Sequence, residues 1–183
     1  SIIYTDKVRG DLAMTPQLEL TLRRDASSAL RTYFKLNDST AASAVATEQH
    51  MLVEVDGVPL RGIIDRLDIV EAAASSPRTV TIVDYKTGSM PAPHFRSNAF
   101  ANTEIYAAMY RSLHGELPSA INLIYLGRDE GIDPRTVTDI NVRARMKHVV
   151  ESWGKINDAY DQGSFEPEPG PKCRGCPFRV HCQ

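Results

Sequence analysis

The chain reads as an α/β domain, a mixed central sheet flanked by helices and closed by a short cysteine-rich tail. Three observations carry that expectation. Two runs rich in β-branched residues meet at Asp56-Gly57, a strong two-residue hairpin signal. A third such run ends at Lys86, and beyond it a segment of helical periodicity leads to a short apolar run at Ile121–Leu126. The order is helix, three strands, helix, strands, helix, which fits helices packed on a mixed sheet. All three cysteines lie between Cys173 and Cys182, beyond a proline-rich stretch.

Taken in order, residues 1–14 show no clear periodicity and receive no assignment. From Pro16, Leu18, Leu22, Ala26, Ala29, Leu30 and Tyr33 recur at three-and-four spacing and predict a helix. Strands are expected over Thr47–Val55, Val58–Val70 and Thr79–Lys86, with a loop at Ala72–Pro77. Pro91 and Pro93 break regular structure before a helix from about Asn98 to Leu113, with Ala101, Ile105, Ala108, Met109 and Leu113 along one face. Ile121–Leu126 has strand length, and Val137–Val142 is expected as the edge strand. A long helix follows, with Met146, Val149, Trp153, Ile156 and Tyr160 on its apolar side. Trp153 is read as core packing. Gly163, Pro167, Pro169 and Pro171 end it.

A chain of 183 residues with 42% hydrophobic and 7% aromatic content can bury one sizeable core. No apolar run has the length of a membrane span, and no signal-peptide pattern opens the sequence. An intracellular, cytoplasmic protein without a membrane partner is expected. The net charge of −2 neither announces nor excludes a nucleic-acid partner. The basic groups Arg23, Arg24, Arg31 and Lys35, and Arg143, Arg145 and Lys147, are read as wet helix faces.

Two short segments carry chemistry, GIIDRLD over Gly62–Asp68 and VDYKTG over Val83–Gly88. In a strand, residues two apart share a face, so Asp84 and Lys86 project together, with Asp65 available from the neighbouring strand. Two carboxylates and an ammonium at strand ends can hold a hard divalent cation and activate a water. The competing reading is of solvated strand-end charges. Ile63, Ile64, Ile82 and Val83 flank them, however, and unpaired charge in apolar surroundings is costly.

Gly-x-x-Asp-Arg-x-Asp followed by Asp-Tyr-Lys-Thr-Gly resembles the PD-(D/E)xK nuclease superfamily, and within it the RecB-type exonuclease branch. Glu48 stands where that branch carries a glutamate. Asn102-x-x-x-Tyr106 resembles its Gln-x-x-x-Tyr helix, with a shorter amide in place of glutamine. The resemblance spans about Glu48 to Cys182. It implies a restriction-endonuclease-like fold, in which residues 1–46 form an N-terminal helical region, 47–165 the nuclease core and 166–183 a metal-binding tail. It further implies a divalent-metal-dependent DNA nuclease, most simply an exonuclease of repair or recombination, with DNA as substrate and a helicase or other repair subunit as partner. Asp65 and Asp84 would ligand Mg²⁺ or Mn²⁺ with the Tyr85 carbonyl, and Lys86 would orient the attacking water. Glu48 would assist through a second metal or a bound water. Tyr106 and, less directly, Asn102 would face the site from their helix. Asp68 is expected to pair with Arg66. The rival is a catalytically inactive DNA-binding or structural subunit of the same fold, which the presence of Asp65, Asp84 and Lys86 argues against. A module in which only the tail matters would leave those strand carboxylates unexplained.

The tail, Cys173-x-x-Cys176 with Cys182, has ligand spacing, and clustered intracellular thiols are more often ligands than disulfides. The alternative is three free surface thiols. Members of the branch with an iron–sulfur cluster resemble this tail, their fourth cysteine lying far upstream, where this sequence has none. A [4Fe-4S] cluster in a longer protein is therefore expected, with zinc, for which His181 could supply a nitrogen, as the alternative.

Overall fold

The computed structural model describes residues 15–37, 44–128, 130–167 and 169–179. Helix α1 (Pro16–Leu36) starts where the Thr15 side chain accepts from Leu18 N–H, with Pro16 in the first turn, a strong start signal. It stops at Asn37, whose N–H returns to the Tyr33 carbonyl. Its periodicity is helical as expected, yet Leu18, Leu22 and Leu30 are exposed, while Thr32 is buried.

Strands β1 (Ala44–Val55) and β2 (Val58–Val70) form the expected hairpin. Asp56 and Gly57 both take positive φ, 51° and 78°, the requirement of the tight turn that matches strand twist. Strands β3 (Thr79–Lys86), β4 (Ala120–Tyr125) and β5 (Gly131–Thr136) complete a five-stranded sheet in the order β1-β2-β3-β4-β5. The β3–β4 pair is parallel and the others are antiparallel. A parallel pair needs a crossover, supplied here by the short α2 (Arg96–Ala99) and by α3 (Ala101–His114), which ends at Gly115 with φ 77°. The long helix α4 (Asp139–Gln162) follows β5.

The edge strand lies earlier than its composition suggests, at Gly131–Thr136 rather than Val137–Val142. Thr138 accepts from Asn141 N–H and starts α4, so Val142 becomes a buried helix residue. β5 instead contains Pro134, tolerated on an edge strand because the outer side needs no N–H.

The core lies between one face of the sheet and α3 and α4. Ile82, Ile121 and Leu123 meet Phe100, Ala107, Ala108 and Met109, with Val142 and Met146 behind them. Buried among these helices is Glu104, held by Arg135 at 2.9 Å and Arg145 at 3.0 Å. Arg135 also lies 3.8 Å over the Phe100 ring. On the opposite face α1 is tied down through polar contacts. Arg66 donates to Asn37 and to the Tyr85 hydroxyl, and the Tyr33 and Tyr85 rings meet at 5.5 Å. Thr32 and Lys35 both reach Glu130.

Candidate active site

The candidate residues gather where the sheet loses its regularity. Along β1 the core-facing positions run Val55, Val53, Met51 and then change phase to Ala46. Across the ladder they run Leu60, Ile64 and then change phase to Leu67 and Ile69. This change of facing falls where Glu48 takes φ 50°, a left-handed conformation rare for a non-glycine residue, while the pairing register itself shifts only farther on, between Ala44 and Ala46. Pairing of Thr47 with Arg66 and of Gln49 with Ile64 leaves Glu48 opposite Asp65.

The slip has a second consequence. The β2–β3 ladder stops at Arg66–Val83, whereas β3 stays paired with β4 as far as Lys86–Tyr125. The N–H of Tyr85, beyond the end of the first ladder, donates to Asp65 Oδ2 at 2.8 Å instead. Asp65 is thereby fixed beside Asp84, and its other oxygen accepts no hydrogen bond among the described residues. Asp84 is 8% exposed, and its Oδ2 is buried. Lys86 Nζ stands 2.7 Å from that oxygen, and apart from this ion pair the oxygen has no hydrogen-bond donor among the described residues. Burial pushes the Asp84 carboxyl above its usual range, and the Asp65 charge adds to this, while Lys86 pulls the other way.

Tyr106 approaches from α3. A Cβ at Gly62 would lie 2.8 Å from Tyr106 Cε1, so the glycine is what lets the ring sit down on β2. Burial raises the Tyr106 phenol, and the Asp84 and Asp65 charges reinforce the shift. The ring therefore shares the electrostatic neighbourhood of the carboxylates. Glu48 is exposed, and Asn102 points outward from the first turn of α3. Asp68 pairs with Arg66 at 2.9 Å, as its sequence neighbourhood suggests.

A groove of about 800 Å³ opens next to this strand end, between α1 and the loops after β3 and β4. Arg24, Thr32, Thr87, Ser89 and Arg128 are among its lining residues. The loops are pressed together: a Cβ at Gly127 would fall 2.5 Å from the Gly88 carbonyl oxygen.

Asp65 and Asp84 offer hard oxygen ligands, and the buried oxygen of Asp84 suits a cation that draws the carboxylate away from Lys86. Among the described residues no group of three His, Cys, Asp or Glu side chains forms a ready metal cage. A Mg²⁺-type ion does not require one, since it commonly binds through one or two carboxylates and keeps waters or substrate oxygens. Of the tail, Cys173 and Cys176 are free thiols, and Gly170 N–H donates to Cys173 Sγ at 3.3 Å. His181 and Cys182 lie outside the described residues. Two features escaped the sequence reading. Glu104 carries no motif signal, and Tyr125 and Asp133, near Lys86, look like ordinary strand residues.

Comparison with known proteins agrees with this geometry. The chain is 23% identical over 171 residues to the Gene 69 protein of Mycobacterium phage D29, covering 92% of this chain and 52% of that protein. It is 27% identical over 140 residues to the Gene 69 protein of Mycobacterium phage L5, covering 75% and 44% respectively. It thus spans about half the length of these curated relatives. A crystal structure from Eubacterium rectale, named "Putative exonuclease", superposes with a TM-score of 0.63 at 16% identity, over 97% of this chain and 68% of that one. That likeness is one of fold. The family model of the PD-(D/E)XK nucleases matches residues 5–183, nearly the whole length. With a mixed sheet flanked by helices and an Asp–Asp–Lys cluster at its broken edge, the chain belongs to the PD-(D/E)XK nuclease superfamily.

Proposed function

We propose that this protein is a divalent-metal-dependent DNA nuclease of the RecB-type exonuclease branch. The observation that carries the reading is the Asp84–Lys86 pair at 2.7 Å, set beside Asp65 where the β2–β3 ladder ends. Asp65, Asp84 and the Tyr85 carbonyl would hold Mg²⁺ or Mn²⁺. When bound, the ion would lower the pKa of a coordinated water and neutralise charge on the phosphate.

The chain's own residues supply the remainder. Tyr85 N–H fixes the Asp65 carboxylate, so its free oxygen needs little reorganisation. Release of Lys86 from Asp84 would let the ammonium orient the attacking water and stabilise charge gathering on the phosphate oxygens. Tyr106 would wall the site and contact substrate. Glu48, exposed opposite Asp65, would assist through a second metal or a bound water. The adjoining groove carries Arg24 and Arg128 against Asp25 and Glu130, so hydroxyls such as Thr32, Thr87 and Ser89 rather than net charge would meet a substrate there. No helix of the described residues is long and apolar enough to cross a membrane.

The deciding assay is digestion of single-stranded and duplex DNA with Mg²⁺ or Mn²⁺, using Lys86→Ala as control. The reading expects metal-dependent cleavage by the parent, and loss of cleavage by Lys86→Ala with the melting temperature kept. Cleavage by Lys86→Ala at the parental rate would remove that residue from the mechanism. Metal binding unchanged in Asp84→Ala, measured by calorimetry, would remove the carboxylate assignment. A repair or recombination role, with a helicase or similar subunit as partner, follows from the branch resemblance.

The regional division at residues 46 and 166 belongs to the same reading. Cys173, Cys176 and Cys182 are proposed as ligands of a [4Fe-4S] cluster completed by a longer protein, with zinc as the alternative. Anaerobic purification of such a longer protein should give a brown preparation containing iron. Finding neither iron nor zinc there would overturn the ligand assignment and leave the nuclease reading standing.

A further inference from the structure

Two buried polar atoms beside Lys86 have no hydrogen-bond partner among the described residues, the Tyr125 hydroxyl oxygen and Asp133 Oδ2. Buried donors and acceptors are nearly always paired, so two orphans on one face of neighbouring strands call for an explanation. Register places them together. Lys86 pairs with Tyr125 across β3 and β4, Tyr125 pairs with Gly131 across β4 and β5, and Asp133 stands two residues along on the same face as Gly131. Tyr125 is 3% exposed and belongs to the core packed beneath α3.

The electrostatics agree with that placement. Burial raises the Tyr125 phenol, the Asp133 charge raises it further, and Lys86 opposes them. Met90 closes over the same row, its methyl 3.0 Å from where a Cβ at Gly131 would stand. Arg96 of α2 also acts on the phenol; its Nε donates to the Pro91 carbonyl at 3.3 Å, while Lys86 lies in the ladder row of Tyr125 itself. Lys86, set beside Tyr125 by the β3–β4 register, has donors to spare, because an ammonium has three and Asp84 is its one ion-pair partner among the described residues.

We propose that Tyr125 and Asp133 form a second seat for the Lys86 ammonium and act as its positioning residues when a cation engages Asp84. The inference rests on the nuclease reading for its purpose, though not for its geometry. The two atoms are not hydrogen-bonded to each other in this structure; a rotamer adjustment letting the Tyr125 hydroxyl donate to Asp133 Oδ2 would satisfy both orphans. The phenol oxygen then keeps a lone pair for Lys86, and the Asp133 charge holds the ammonium nearby. Without such a seat, a lysine released by Asp84 would regain the rotamer freedom of its long stem. Orientation of the water would then be lost.

Two experiments on the full chain test this. In DNA cleavage with Mg²⁺, Tyr125→Phe and Asp133→Asn should each lower kcat by roughly tenfold to a hundredfold, with KM nearly unchanged. Independently of turnover, double-mutant cycles of each variant with Lys86→Met can be read from urea midpoints. With saturating Ca²⁺ as the probe cation, the midpoint shifts should be non-additive; in EDTA, where Asp84 holds Lys86, they should be close to additive. Two different variants keep the test sound should one of them fold poorly. Parental kcat in both variants, or additive shifts in Ca²⁺, would overturn the proposal. A parent that cleaves no DNA at all would overturn the nuclease reading instead, and the cycles would still decide whether the seat exists.

Discussion

Gly62→Ala is the smallest perturbation that reaches the candidate site. The added methyl would lie 2.8 Å from Tyr106 Cε1, 3.0 Å from Cδ1 and 3.3 Å from Met109 Sδ. A ring edge packed between β2 and α3 cannot bend away as a flexible chain end would, so the ring has to move as a body. Overpacking of this kind costs about 1–3 kcal/mol. Replacing glycine by alanine within a strand returns roughly 0.5–1 kcal/mol of backbone entropy. The single variant should therefore lose about 0.5–2 kcal/mol, measured by urea denaturation. Cleavage should suffer more than stability, because displacing a site-facing ring by about an ångström can cost up to ~10²-fold in rate. The mechanism is isolated by repeating the substitution in a Tyr106→Ala background. With the ring gone only the entropic gain and the softer Met109 contact remain, and Gly62→Ala should become neutral or stabilising. Equal destabilisation in both backgrounds would refute the reasoning, since the cost would then not come from the Tyr106 contact.

Further outcomes follow from the same structure. Glu104→Gln should destabilise by about 2–3 kcal/mol in urea melts, below the usual cost of breaking a fully buried pair, because Arg135 and Arg145 keep 26% and 27% side-chain exposure. Gly127→Ala should cost at least ~2 kcal/mol, because the methyl meets a backbone carbonyl that cannot step aside. Gly88→Ala, with nothing within 4 Å, should leave the thermal midpoint close to the parent's. Tyr85→Phe should alter the alkaline stability profile. Burial raises the Tyr85 phenol to about 12 from 10.0, so the folded chain holds this proton more tightly than the unfolded one. Its contribution is complete below pH 10.0 and is lost as pH rises towards about 12, and the parent's stability should fall more steeply through that window than the variant's, in EDTA.

Much of the architecture was legible because the local signals were strong and agreed with one another. Asp56-Gly57 demands a tight turn whatever surrounds it. Pro16 at the start of α1 and the positive-φ Gly163 at the end of α4 punctuate helices by backbone physics alone. The edge strand was misplaced for the converse reason. Val137, Thr138 and Val142 have strand composition, but a threonine cap three residues before an N–H that needs an acceptor decides the matter locally. The helical spacing in α1 was also visible, although spacing cannot say which stripe is covered. Arg66, Asn37, Tyr33 and Tyr85 fasten that helix by polar contacts, leaving several leucines outside. The pairing of Asp84 with Lys86 was readable from period two. Glu104 was not, because its partners Arg135 and Arg145 come from β5 and α4, and only the assembled fold brings the three together.

Period two also reaches its limit at the site itself. Strict alternation from Ile64 would put Arg66 on the core face, yet Leu67 and Ile69 occupy it. The flip is what ends the β2–β3 ladder at Arg66–Val83 and hands Tyr85 N–H to a side chain. A regular ladder would have paired that N–H with backbone and left the Asp65 carboxylate free to turn into solvent. The irregularity therefore does two things at once. It opens a notch in an otherwise buried sheet, and it immobilises one carboxylate at the rim of that notch. Arg66 and Asp68, sent to the other face by the same flip, become the anchor for α1 rather than competitors for the site. One phase slip thus separates the charged residues of GIIDRLD into an anchor on one side and the candidate site carboxylate on the other. For that reason the motif's spacing cannot be understood from strand periodicity alone.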